Sequence, residues 1–292
     1  MTFEFGDTEE SNAFFDRNPS FVPFFEKLMA TANKCFGRRV DFKNHLEDVV
    51  FSQGHTCRDD YTEVVFLVVN GYADAAAKIF RGLYERAVTL AYIGDSNEKA
   101  RGFHRYSGVQ AHRAMEAARQ LFTEAEFEKV AGAGTIARMR DWYWEVKPDF
   151  QTTLCKKCGT TRTQSSWGID FASMVQKVGE PYRMYFFNGY AMPTLQIHAT
   201  MASGFDGRDR DDATSLHNRR RECDVTLYTA TCVFLLVMQT QNRIFTLGLD
   251  AELGDCEKEI KPWESELQAA SPIVLFSDQQ KDTNGTNQDE SR

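Results

Sequence analysis

The sequence predicts an all-α fold, a multi-helix bundle of about eight to ten helices, from apolar residues that recur at helical spacing. That three- and four-residue period places them on one helix face through most of the chain. Two further observations agree. There is no strand–helix–strand alternation, and no Gly-x-Gly-x-x-Gly or Walker-type loop. Phe occurs 23 times in 292 residues, which favours thick aromatic contacts between helices over a lean coiled coil.

Residues 1–18 read as a polar leader. Asn18-Pro19-Ser20 opens a helix from Phe21 to about Phe36, with Phe24, Phe25, Leu28 and Met29 at helical spacing. A second helix is expected near Phe42 to Phe51. A third, capped by Asp59 or Asp60, runs through Val64, Val65, Leu67 and Val68 until Asn70-Gly71. The next, about Tyr72 to Ile93, stops at Gly94-Asp95. Glu98 to about Leu121 follows, with Phe103, Tyr106, Val109 and Met115 inward. Thr123-Glu-Ala-Glu126 is a capping box, and Ile136 to Trp144 is helical after the Ala131–Gly134 loop. Pro148 to Trp167 is the least regular interior stretch. Phe171 to Val178 resumes helix, Pro181 to Phe187 continues it after a break, and Pro193 suits the first turn of another through about Ala202. Asp212 or Thr214 caps the last long helix, Ser215 to about Leu247. Pro262, Pro272 and Ile273 to Phe276 form a final docked segment. The single helical domain therefore spans 19–276, and 277–292, without an apolar residue, is expected to be disordered.

Composition narrows the function classes. The formal net charge of −8 does not suit a general nucleic-acid binder, so any RNA contact needs a local basic patch. No uninterrupted apolar run reaches the length of a membrane span. The best candidate, Val225 to Met238, contains Thr226, Tyr228, Thr229 and Thr231 and fits a buried helix. The amino terminus lacks the basic start and apolar centre of a signal peptide. Seven scattered cysteines argue against a secreted disulfide framework. The reading is a cytoplasmic protein with reduced thiols.

Arg81 and Glu85 stand four residues apart in the helix after Tyr72, so they are neighbours on one face, with Val88 and Tyr92 continuing the row. Tyr190, Thr194 and His198 are also four apart. If the two faces meet, Glu85 holds Arg81 while His198 works as a general acid/base near neutral pH. The plainer reading is a polar network that fixes how two helices register.

These two stretches, Arg81-Gly-Leu-Tyr-Glu85-Arg-Ala-Val-Thr-Leu-Ala-Tyr92 and Tyr190-Ala-Met-Pro-Thr-Leu-Gln-Ile-His198, resemble a bacterial family of helical proteins catalogued as a domain of unknown function. That family has an Arg-x-x-x-Glu helix and a later Tyr…Ser…His helix. The resemblance covers roughly residues 20–245 and rests on these two motifs. Pro193-Thr194 stands where the family pattern has a small residue such as Ser. The family implies no activity. A looser similarity is to the HEPN class of helical prokaryotic defence ribonucleases, in which an Arg and a following His act on RNA.

The Arg-to-His spacing of that class occurs at Arg39/His45, Arg105/His112 and Arg210/His217. Arg210/His217 is the best placed, because Arg208 and Arg219-Arg220-Arg221 make this the densest basic cluster, a patch able to hold an RNA backbone. The alternative is a solvated helix start whose arginines pair with nearby acids. Cys155-x-x-Cys158 supplies half of a tetrahedral zinc site, but no second pair completes it, so neither a metal nor a cofactor is expected. The leading expectation is an intracellular prokaryotic defence or stress protein acting as a metal-independent, HEPN-like endoribonuclease. Its catalytic residues are Arg81, Glu85 and His198, or Arg210 and His217, and Tyr92, Tyr190, Thr194, Arg219 and Arg220 bind the ligand. The alternative is a non-catalytic helical module that binds a protein partner or small ligand; either could form a homo-oligomer.

Overall fold

The computed structural model describes residues 6–154, 157–197 and 213–270. Eleven α-helices and one two-stranded hairpin occur among them, so the chain is all-α. The helices are α1 (Thr8–Arg17), α2 (Phe21–Phe36), α3 (His45–Val69), α4 (Ala73–Ile93), α5 (Asn97–Arg119), α6 (Glu124–Ala131), α7 (Thr135–Val146), α8 (Phe171–Val178), α9 (Met192–Ile197), α10 (Ala213–Phe245) and α11 (Asp250–Ala270). Strands β1 (Gln151–Thr153) and β2 (Thr161–Thr163) pair antiparallel.

Four departures from the sequence reading have physical causes. Residues 8–17, expected within a polar leader, form α1, because Asp7 accepts from the Glu10 backbone N–H as an N-cap and Phe14 is buried. The two helices expected between Phe42 and Val68 are one, α3. Gly54 continues it, buried against Gln241 and Phe36. The irregular stretch after Pro148 contains the hairpin. Pro262, expected in a final docked segment, lies inside α11, where Leu253, Cys256, Ile260, Trp263 and Leu267 are buried at alternating three- and four-residue steps.

The sequence reading treats 19–276 as one helical domain; the described residues gather into two compact units. The first is drawn from residues 1–40, 50–92 and 175–292. Its core is aromatic. Trp263 of α11 sits among Phe21 and Phe24 of α2 and Tyr228 of α10, and its indole N–H donates to Asn18 Oδ1 at 3.0 Å. Tyr61 of α3 stacks on Phe234 of α10 at 4.7 Å, and its hydroxyl meets Thr231 Oγ1 at 2.9 Å. α10 has the length and composition of a membrane span, yet 72% of its most apolar window is buried in the protein.

The second unit comprises residues 41–49 and 93–174. Here α5 packs on α7, and Tyr106, Val109, Val146 and Phe150 form a separate core flanked by Trp142, Tyr143 and Trp167. Gly108 permits the approach, since a methyl group there would lie 2.9 Å from Val146. The capping box at the start of α6 is formed by Thr123 and Glu126. Residues 271–292, including the expected tail and Pro272 and Ile273 to Phe276 of the expected docked segment, lie outside the described residues.

Candidate functional site

α4 places Arg81 one turn before Glu85, and Arg81 Nε donates to Glu85 Oε1 at 2.8 Å. The pair stays open to water on one side, with side chains 20% and 39% exposed. The Arg81 guanidinium also lies over the Tyr190 ring, 4.9 Å from its centroid, a cation–π contact between segments about a hundred residues apart. Arg81, Glu85 and Tyr190 therefore share one site. Among the described residues no acceptor takes Arg81 Nη1 or Nη2. The guanidinium is thus braced at its Nε edge and on one face.

Tyr190 is positioned by an irregular stretch. A 3₁₀ turn (Tyr182–Tyr185) leads through Phe186 into a π-helical turn (Phe187–Ala191), and α9 follows. Widened turns of this kind are frequent at functional sites. Tyr84, which lies between Arg81 and Glu85 in sequence, anchors the stretch. Its hydroxyl donates to the Tyr182 carbonyl at 2.8 Å, and Gly189 packs against its ring. Burial pushes the Tyr84 hydroxyl well above the usual phenol range, so it remains a donor at physiological pH. Thr194 Oγ1 donates back to the Tyr190 carbonyl at 2.5 Å, serving its own segment. Tyr92 is half-buried near the end of α4. His198 lies outside the described residues.

Within the basic cluster, the described residues show one arginine paired internally. Arg220 Nε and Nη2 donate to the two oxygens of Glu10 at 2.9 and 2.7 Å. Arg219 is half-buried, whereas His217 is exposed. Arg210 falls outside the described residues, so its spacing to His217 stands as a sequence observation. At the other Arg/His match with both residues in one unit, Arg105 is held by Asp149 at 2.6 Å and Glu145 at 2.9 Å. His112 stacks on Tyr143 at 3.7 Å, and burial holds its pKa below the usual imidazole value. Cys158 is exposed, with Sγ 2.9 Å from Thr160 Oγ1, and Cys155 is not described. Among the described residues no group of three His, Cys, Asp or Glu is placed to hold a metal.

Three polar features escape the sequence reading. Asp224 on α10 is 5% exposed and pairs with Arg17 at 3.5 Å. Asp60 on α3 pairs with Arg86 at 2.5 Å. Burial pushes both carboxyls up to about 6, against the opposing pull of their arginines. Burial pushes the Cys232 thiol up to about 11, which makes it a poor nucleophile. The sequence signal for Asp224 is a carboxylate inside the apolar period of α10, four residues after Arg220. Asp60 instead resembles a helix cap when read beside Asp59. A cleft of about 510 Å³ also lies where α10 turns into α11. Its polar walls are bonded to one another, Gln239 to Glu257 at 2.5 Å and Asn242 to Asp250 at 2.9 Å.

Comparison with protein-family models, curated proteins and solved structures finds no match to this chain.

Proposed function

We propose that this chain is a helical binding module that takes the anionic group of a small ligand or partner at Arg81. One observation carries the reading: Arg81 is braced by Glu85 and by the Tyr190 ring. A guanidinium held this way loses little freedom on binding, and its outer N–H edge matches a carboxylate or phosphate. Of the other arginines considered for chemistry, Arg105 and Arg220 are each held by internal carboxylates. Inorganic phosphate and acetate are the two probes. Saturable binding of either by calorimetry, abolished in Arg81→Ala and weakened in Tyr190→Leu, supports the site. Unchanged binding in Arg81→Ala removes it.

A ribonuclease reading draws on the same contact, because Arg81 meets the segment that precedes His198 in the chain. Arg81 would steady phosphate charge while His198 moves the proton of the attacking 2′-hydroxyl. Purified protein with total RNA in EDTA, alongside His198→Ala and His217→Ala, tests it. Cleavage lost in one variant names the base. Equal residual cleavage in both indicates contamination and leaves the binding module.

A further inference from the structure

We infer that α1 is a displaceable strap and that the α10 face beneath it is a docking surface for an acidic helix supplied by a partner protein. Arg220 and Asp224 lie four apart on α10 and present a cation followed by an anion. α1 answers with Glu10 and Arg17, an anion followed by a cation. Glu10 closes on Arg220 in bidentate fashion at 2.9 and 2.7 Å, and Arg17 meets Asp224 at 3.5 Å. Glu9 and Asp7 add their fields at Arg220 and, with Glu10, raise its pKa. The surface thus already holds the chemistry it would recognise, carboxylates on a helix. Charge complementarity of this kind sets partner choice and register.

The strap is lightly fastened at its amino-terminal end. Phe14 is the one buried residue of α1. Ahead of it, the ties among the described residues are polar: Glu10 to Arg220, and Asp7 N–H to Asn70 Oδ1 at 3.2 Å. The α3–α4 turn adds a contact, with Gly71 against the Glu10 side chain. Asp7, Thr8 and Glu9 are exposed. A helix end held mainly by partly exposed polar contacts opens more readily than the core. In the intact chain α1 competes at the high effective concentration of a short tether, so the surface is masked rather than absent. An RNA backbone is the less suited occupant, because the face pairs its cation with the acidic Asp224 and the whole chain carries a net charge of −8.

The probe is a fluorescein-labelled peptide with the sequence of residues 6–18, titrated by anisotropy against the full chain. Wild type is compared with Asp7→Asn/Glu9→Gln/Glu10→Gln, which weakens the strap without removing Phe14. Binding at least tenfold tighter to the weakened chain is expected. Adding Arg220→Gln should abolish it, while adding Arg81→Ala should leave it unchanged, separating this surface from the Arg81 site. Equal affinity for wild type and the weakened chain overturns the proposal, as does binding that survives Arg220→Gln. A single-stranded RNA that binds the weakened chain where the peptide does not reassigns the face to nucleic acid and also overturns it. Circular dichroism confirms folding, and Glu10→Gln alone serves if the triple variant unfolds.

Discussion

Gly189 lies against the ring of Tyr84, so that a methyl group at residue 189 would stand 2.7 Å from Tyr84 Cγ. Tyr84 is fully buried and bonded through its hydroxyl, so its ring has little room to withdraw. Gly189→Ala should therefore destabilise by roughly 1–3 kcal/mol, the usual range for overpacking. It should also loosen the Arg81–Tyr190 contact. Gly102, inside α5, has nothing within 4 Å of the corresponding position. Gly102→Ala should stabilise by about 0.5–1 kcal/mol. Urea unfolding of the pair checks both, and a neutral Gly189→Ala would show that the π turn yields freely.

Gly54 makes a similar approach possible inside α3. A methyl group there would overlap Gln241 Nε2 and stand 2.9 Å from Phe36. Gln241 is fully buried and donates to the Val50 carbonyl, so displacing it would strand a buried amide. The expected loss for Gly54→Ala is about 2–4 kcal/mol, combining overpacking with an unsatisfied polar group. Chemical denaturation reads it directly. If Gly54→Ala instead gains stability, as a helical Gly→Ala ordinarily does, the buried glutamine is not holding α10 to α3.

What the sequence discloses and conceals follows from the range of each signal. Apolar periodicity is local, so α2, α4, α5 and α10 are legible almost to their ends, and the capping box announces α6 through two side chains three residues apart. Local propensity disfavours both Gly54 and Pro262 within a helix, yet α3 and α11 contain them. Their acceptance depends on distant facts: Gln241 reaching over Gly54, and solvent beside Pro262. For the candidate site, the Arg81–Glu85 pair is a local i,i+4 spacing and can be read directly. The meeting with Tyr190 depends on a π turn that no spacing rule specifies. Likewise, Glu10 lies 210 residues from Arg220, and nothing near Arg220 in sequence indicates that its charge is already answered.

Asp224 should leave a mark on stability as a function of pH. Burial raises its carboxyl to about 6 in the folded chain, above an ordinary unfolded value near 3.9. Below about pH 4 both states hold the proton, and its contribution is fully present. As pH rises towards 6 the unfolded chain releases that proton first, so the stability contributed by protonated Asp224 is lost through this window and stays lost above it. Asp224→Asn, which cannot ionise, should therefore gain on wild type by on the order of 2 kcal/mol between pH 4 and 7. Asp60 titrates in the same window but is present in both proteins, so it cancels in the difference. A difference curve that stays flat across that range would remove Asp224 as the cause.

Pro262 offers the complementary test of α11. It sits within the helix on its exposed side, immediately before the fully buried Trp263. Proline cannot donate to the carbonyl of Lys258, and its ring crowds that carbonyl, a combination that disfavours helix interiors by about 3 kcal/mol. Two effects reduce the penalty here. Water reaches the exposed side of α11, and proline restricts the unfolded chain by about 0.4–1 kcal/mol. Pro262→Ala should accordingly stabilise the protein by roughly 1–2 kcal/mol, with the Trp263 fluorescence environment unchanged. Loss of stability would mean instead that a proline-induced bend at this position seats Trp263 against Asn18, and a weakened indole-to-Asn18 hydrogen bond would accompany it.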